Sequence, residues 1–64
     1  MTIKDLLVKV ENGTQVIIWD GNSEEVVFNE RVGFDRTWQE YGNYEVCAIN
    51  TSCNDCDMEI VIAR

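Results

Sequence analysis

The sequence contains no histidine. That absence removes the commonest general base and a frequent metal ligand, and it prevents the usual Ser/His and Cys/His nucleophile pairs from being built. Proline is also absent, and there is no internal repeat of solenoid length and no low-complexity tract. Only five lysines and arginines stand against 12 aspartates and glutamates, a formal charge of −7. Such a balance repels nucleic acid and anionic membrane surfaces, so neither is an expected direct partner. No apolar run approaches the roughly 18 to 20 residues of a membrane span, and no charged start leads into a signal-peptide core. The expected location is the cytoplasm, with no cofactor and no catalytic residue implied. Three cysteines are an odd number and too few for a dense disulfide scaffold, which favours reduced thiols acting as small hydrophobes.

What remains is enough to fold. Hydrophobic residues make up 45% of the chain, which argues against disorder despite the acidity. Its 64 residues make one small domain, 1–64, with a thin stability margin, since such a chain buries only roughly 60% of the surface it exposes unfolded. Association into a homo-oligomer would extend that core.

The segment from Tyr44 to Arg64 organises the rest. With Asn54-Asp55 as a two-residue turn, Cys53 faces Cys56, Thr51 faces Met58, Ile49 faces Ile60 and Cys47 faces Ile62. All the apolar partners then share one face, with Asn50, Glu59, Ser52 and Asp57 on the other; a slip by one residue would turn the apolar set outward. Val46, Ala48, Val61 and Ala63 make the base of the second face apolar too, and the N-terminal helix is expected to cover it. That helix opens at Thr2, with Asp5 completing a capping-box pair, carries the stripe Ile3, Leu6, Leu7 and Val10, and stops at Asn12-Gly13. Too short to hold alone in water, it must lie against the sheet.

Gln15 to Trp19 reads as a strand with Val16 and Ile18 on one face and Ile17 and Trp19 on the other, a two-sided apolar pattern that suggests a central position. Asp20-Gly21-Asn22-Ser23 turns the chain, and Glu25 to Val32 returns as a second strand. After Gly33, the segment Phe34 to Gly42 reads as a single helical turn or compact loop in which Trp38 or Tyr41 closes one end of the core. The expected fold is therefore α+β, in the order α-β-β-short α-β-β, with the helix packed on an antiparallel sheet of two hairpins.

Four short motifs, Lys4-Asp5-Leu6-Leu7, Val16-Ile17-Ile18-Trp19-Asp20, Glu45-Val46-Cys47-Ala48-Ile49 and Ile60-Val61-Ile62, are spread over most of the chain's length. In these the sequence resembles a loose group of short proteins encoded by bacterial phages and prophages; the cysteine-bearing turn departs from that pattern. The resemblance implies a mobile-element origin and supplies neither an activity nor functional residues.

Cys53-Asn54-Asp55-Cys56, with Cys47 further down the ladder, has the spacing of a zinc knuckle. A structural zinc site normally needs four ligands, so Asp55, Asp57 or a second chain would have to complete one. A Cys53–Cys56 disulfide is the alternative, and a thioredoxin-like role lacks the helix that such a motif opens. Asp20, Asn22 and Glu24 begin like a calcium loop, but Glu25 and Arg31 stand where an EF-hand needs glycine and glutamate.

The acidic pattern is more informative. Asp57 and Glu59 project from the outer face of the hairpin and Asp55 extends the row into the turn, with carboxylates about 6.5 to 7 Å apart, roughly two phosphate steps along a strand of duplex. Asp20, Glu24 and Glu25 form a second acidic tip. Such a surface either keeps a small domain soluble or docks on a basic partner. The second reading gives the expected function: a non-enzymatic acidic binding protein, an inhibitor of the anti-CRISPR kind made by a mobile element, occupying a basic nucleic-acid site on a host protein. Trp38 and Tyr41 are candidate aromatic contacts. The rivals are an oligomer with a small-molecule or zinc site at its interface, using Cys47, Cys53 and Cys56, and a structural accessory protein.

Overall fold

The computed structural model describes residues 1–33, 37–51, 54 and 56–63. A short helix α1 (Ile3–Leu7) precedes strands β1 (Gln15–Asp20) and β2 (Glu25–Arg31), a 3-10 helix (Thr37–Tyr41), and strands β3 (Val46–Asn50) and β4 (Met58–Ile62). The fold is thus α+β in the expected element order. The four strands form one sheet in the order β2-β1-β4-β3, which makes β1 central, as its two apolar faces require.

The sheet is mixed, and this corrects the antiparallel two-hairpin arrangement. β1 pairs antiparallel with β2, and β3 with β4, but β1 and β4 run parallel, with Ile18 beside Ile60. The connection from β2 explains why. It leaves one edge of the sheet, passes through the 3-10 helix, and reaches the opposite edge with β3 running in the same direction as β2. The hairpin that follows then brings β4 back alongside β1 in β1's own direction.

α1 begins as the sequence indicates. The Thr2 hydroxyl accepts from the Asp5 amide (3.3 Å) and the Asp5 carboxylate accepts from the Thr2 amide (3.2 Å). The next two amides, which a helix start leaves unsatisfied, donate outside the helix: Ile3 to the Tyr44 carbonyl and Lys4 to the Gly42 carbonyl, each at 3.0 Å. Thr2 forms an isolated antiparallel bridge with Glu45. The helix is shorter than the Ile3-to-Val10 stripe implies. Lys9 and Val10 donate to Leu6 and Leu7, one residue nearer than an α-helix uses. Gly13, at φ +95°, then turns the chain and pairs its amide with the Val32 carbonyl at 2.7 Å.

The core lies on one face of the sheet. Ile3 and Leu7 of α1, Val16 and Ile18 of β1, Phe28 of β2, Ile60 and Ile62 of β4, Val32 and Trp38 bury together. α1 therefore covers the Ile60 and Ile62 face, and the expectation that it sits over Val61, Ala48 and Ala63 is corrected. The C-terminal hairpin keeps the expected pairs Ile49 with Ile60 and Asn50 with Glu59, but a bulge at Cys47 places Val46, not Cys47, opposite Ile62. The extra residue swings Val46 toward the core and Cys47 into solvent. Trp38 is 2% exposed, and Tyr41 packs edge-on against Phe28, ring centroids 6.4 Å apart. Together they close the end of the core as expected, but Trp38 is no surface contact.

Candidate functional site: the open face of the sheet

With α1 and the 3-10 helix on one side, nothing among the described residues layers over the other. The molecule is 16 Å through its thinnest direction, room for one sheet and one layer of helix. Side-chain alternation and the observed register define what the open face carries. Trp19 lies opposite Val26 on one side and Val61 on the other, and Val61 lies opposite Ala48. An apolar row thus crosses all four strands at one level. Below it runs a mixed row, Asn29, Ile17, Glu59 and Asn50, and below that Arg31, Gln15 and Asp57. A β-bulge between Ile18 and Trp19 on the β2 side supplies the register step that brings Val26 outward beside Trp19 while Phe28 stays inside.

The expected acidic residues fall into two places. Asp57 sits at the start of β4 beside Gln15, where the Asp57 amide donates to the Gln15 carbonyl (2.9 Å) and the Gln15 amide donates to the Asp57 carboxylate (3.0 Å). Its charge is anchored in the sheet. The turn bearing Glu24 and Glu25 follows the other end of β1, about five strand residues or ~16 Å away. This separation follows directly from the parallel β1/β4 pair. Asp55 lies outside the described residues.

Glu59, the second residue of β4 and half-buried, joins the far group. Trp19, Asp20, Gly21, Glu24, Glu59 and Val61 line an open depression of about 490 Å³ at the β1–β2 turn. Asp20 is buried, its carboxylate accepting from the Asn22 amide at 2.9 Å. Gly21 keeps this corner tight: its amide donates to the Ile62 carbonyl at 2.8 Å, and a Cβ there would lie 3.1 Å from Val61 Cγ1 and 3.2 Å from that carbonyl oxygen. Glu24 holds its place at φ 59°, a left-handed conformation unusual for a glutamate. Among the described residues no lysine or arginine lines the depression. Glu25 pairs with Asp20 and by alternation belongs to the opposite face from Val26.

Trp19 is the residue that the sequence reading passed over. It is half-buried on an interior strand of the open face, near the β1–β2 turn, and its indole nitrogen is shielded with no hydrogen-bond partner. A signal for it existed: one short helix and one helical turn cannot cover both faces of four strands, so either Val16 and Ile18 or Ile17 and Trp19 had to lie on the face without a helix.

The thiols are not equivalent, which corrects the picture of three reduced, packed cysteines. Cys47 is free and exposed, whereas Cys56 is half-buried and disulfide-bonded; Cys53 lies outside the described residues. Among the described residues no three cysteine, aspartate or glutamate side chains are placed to hold a metal, and no helix is long and apolar enough to cross a membrane. No protein-family model, curated protein or solved structure matches the chain.

Proposed function

We propose that this chain is a non-enzymatic acidic binding protein, an inhibitor made by a mobile element, that occupies a basic, nucleic-acid-binding site on a host protein in the bacterial cytoplasm. The observation that carries the reading is the convergence of Glu24 and Glu59 beside Trp19 on an uncovered face of a chain with net charge −7. Carboxylates there are complementary to the lysines and arginines with which a protein grips phosphates, and complementary charge acts chiefly on association rate and partner choice. The test is capture from a bacterial lysate by the wild-type chain, compared at low and high salt with a Glu24→Gln/Glu59→Gln chain. The reading expects nucleic-acid-binding proteins to be retained at low salt by the wild type and to be lost with either change. Capture insensitive to both removes it.

One observation favours a second reading, self-association through β3. This edge strand carries no charged residue, and Cys47 through Asn50 are all exposed, leaving a neutral strip suited to pairing with another strand. Native mass measurement over a concentration series tests it: a monomer throughout eliminates the oligomer.

A further inference from the structure

We infer that the open sheet face docks a protein segment by seating one arginine or lysine side chain of the partner in the depression between Glu24 and Glu59, over Trp19. The inference rests on the acidic-binding reading and specifies its contact. The row Val26, Trp19, Val61 and Ala48 provides an apolar bed, with Val26 45% exposed at its edge. The depression beside its middle members, Trp19 and Val61, about 490 Å³, has room for a long cationic side chain.

Three candidate occupants meet this surface differently. A second copy of the chain docking face to face would set Glu24 and Glu59 against acidic equivalents, and among the described residues no lysine or arginine lines the depression to relieve them. Nucleic acid would bring phosphates against the same carboxylates. A cationic side chain flanked by apolar ones satisfies both parts of the surface. Its charge lies between two carboxylates, its head stacks on or sits over the indole, and its neighbours cover valines and alanine. The half-buried Glu59 contributes a carboxylate held on a central strand rather than on a loop, so its position is fixed before the partner arrives. Tryptophan and arginine are also the residues in which interface energy concentrates.

The chain supplies its own reporters, since it has two tryptophans, one on each side of the sheet. The experiment is a proton–nitrogen NMR titration of the full chain with a capped Leu-Arg-Val peptide and with the same peptide carrying citrulline, which keeps the shape of arginine and loses its charge. The expected result is a saturable shift of the Trp19 indole signal and of the Gly21, Glu59 and Val61 amides, with the Trp38 indole unmoved. Citrulline, and separately the Glu24→Gln/Glu59→Gln chain, should each weaken binding about tenfold or more. Trp19→Phe tests the ring while preserving an apolar filler, and should weaken binding with the fold intact by its amide spectrum. Shifts confined to other acids, such as Glu11, Glu40 and Asp57, would overturn this site and leave the acidic-binding reading standing. Equal binding of the citrulline peptide would overturn both. Absence of any shift with the arginine peptide overturns the site, and lysate capture then decides the broader reading independently.

Discussion

Gln15 and Asp57 clasp each other across the start of the parallel strand pair, each amide donating to an oxygen of the other residue at 2.9 and 3.0 Å. The Asp57 side chain thereby satisfies a backbone donor at the end of β1. Asp57→Ala should therefore lower stability by about 1 kcal/mol, the usual net worth of such a hydrogen bond, while leaving partner affinity nearly unchanged. Glu59→Gln should do the reverse. Urea titration and a binding isotherm on the two variants check the pair.

The capping box gives a pH prediction. Hydrogen bonds from the Thr2 backbone and side chain hold the Asp5 carboxyl below its ordinary value of 3.8. A lowered folded-state pKa means that the stabilisation is complete above the unfolded value and is lost as pH falls through the lowered one. Melting temperature should therefore drop more steeply below that ordinary value in the wild type than in Asp5→Asn. Parallel acid-range melts of the two chains decide it.

Ile60 is fully buried, whereas its cross-strand partner Ile49 is 43% exposed. Ile60→Ala should cost about 2 to 5 kcal/mol, a large part of the margin of so small a domain. Ile49→Ala should cost less than about 1 kcal/mol. Both side chains point to the helix side, so equal losses in chemical denaturation would contradict the burial of Ile60 on an interior strand and the exposure of Ile49 on the edge strand.

Glu24 occupies a left-handed conformation. Glu24→Gly relieves that strain at the expense of a looser unfolded chain, and the net expectation is a gain of about 0.5 to 1 kcal/mol. The same change removes one wall of the depression. A variant with a higher melting temperature and weaker binding to the arginine peptide is the expected outcome.

Alkylation without reductant should label Cys47 and spare Cys56, and prior reduction should expose Cys56 as well. Peptide mapping by mass spectrometry reads both. Labelling of Cys56 in the native, unreduced chain would show the disulfide absent.

Much of this architecture was legible because it is local. The Thr2–Asp5 cap, the two-sided apolar pattern of β1 and the Ile49–Ile60 register each follow from residues within a turn or a hairpin. What was not legible depends on how distant pieces meet. No residue pattern within either hairpin indicates that β4 lies parallel to β1, and that fact alone separates Asp57 from Glu24 and unites Glu59 with Trp19. The bulge at Cys47 was hidden for a different reason: one unpaired residue is a small local cost set against bringing Val46 over Ile62, and period-2 reasoning assumes that no such step occurs. Trp38 was correctly expected at the core's end, and its burial disqualifies it as a contact.

The parallel joint also governs when this protein can fold. Gln15 and Asp57 are 42 positions apart in the chain, and among the described residues the β1–β4 pairing that they begin is the one ladder joining one hairpin to the other. Each hairpin can zip from its own turn, but the shared core closes only after the ends of a long loop have found each other, the kind of contact that slows folding. On the ribosome, β1 must wait with one edge unpaired until β4 emerges, and for that interval Trp19 and Ile17 lie beside an open strand edge that the finished sheet conceals.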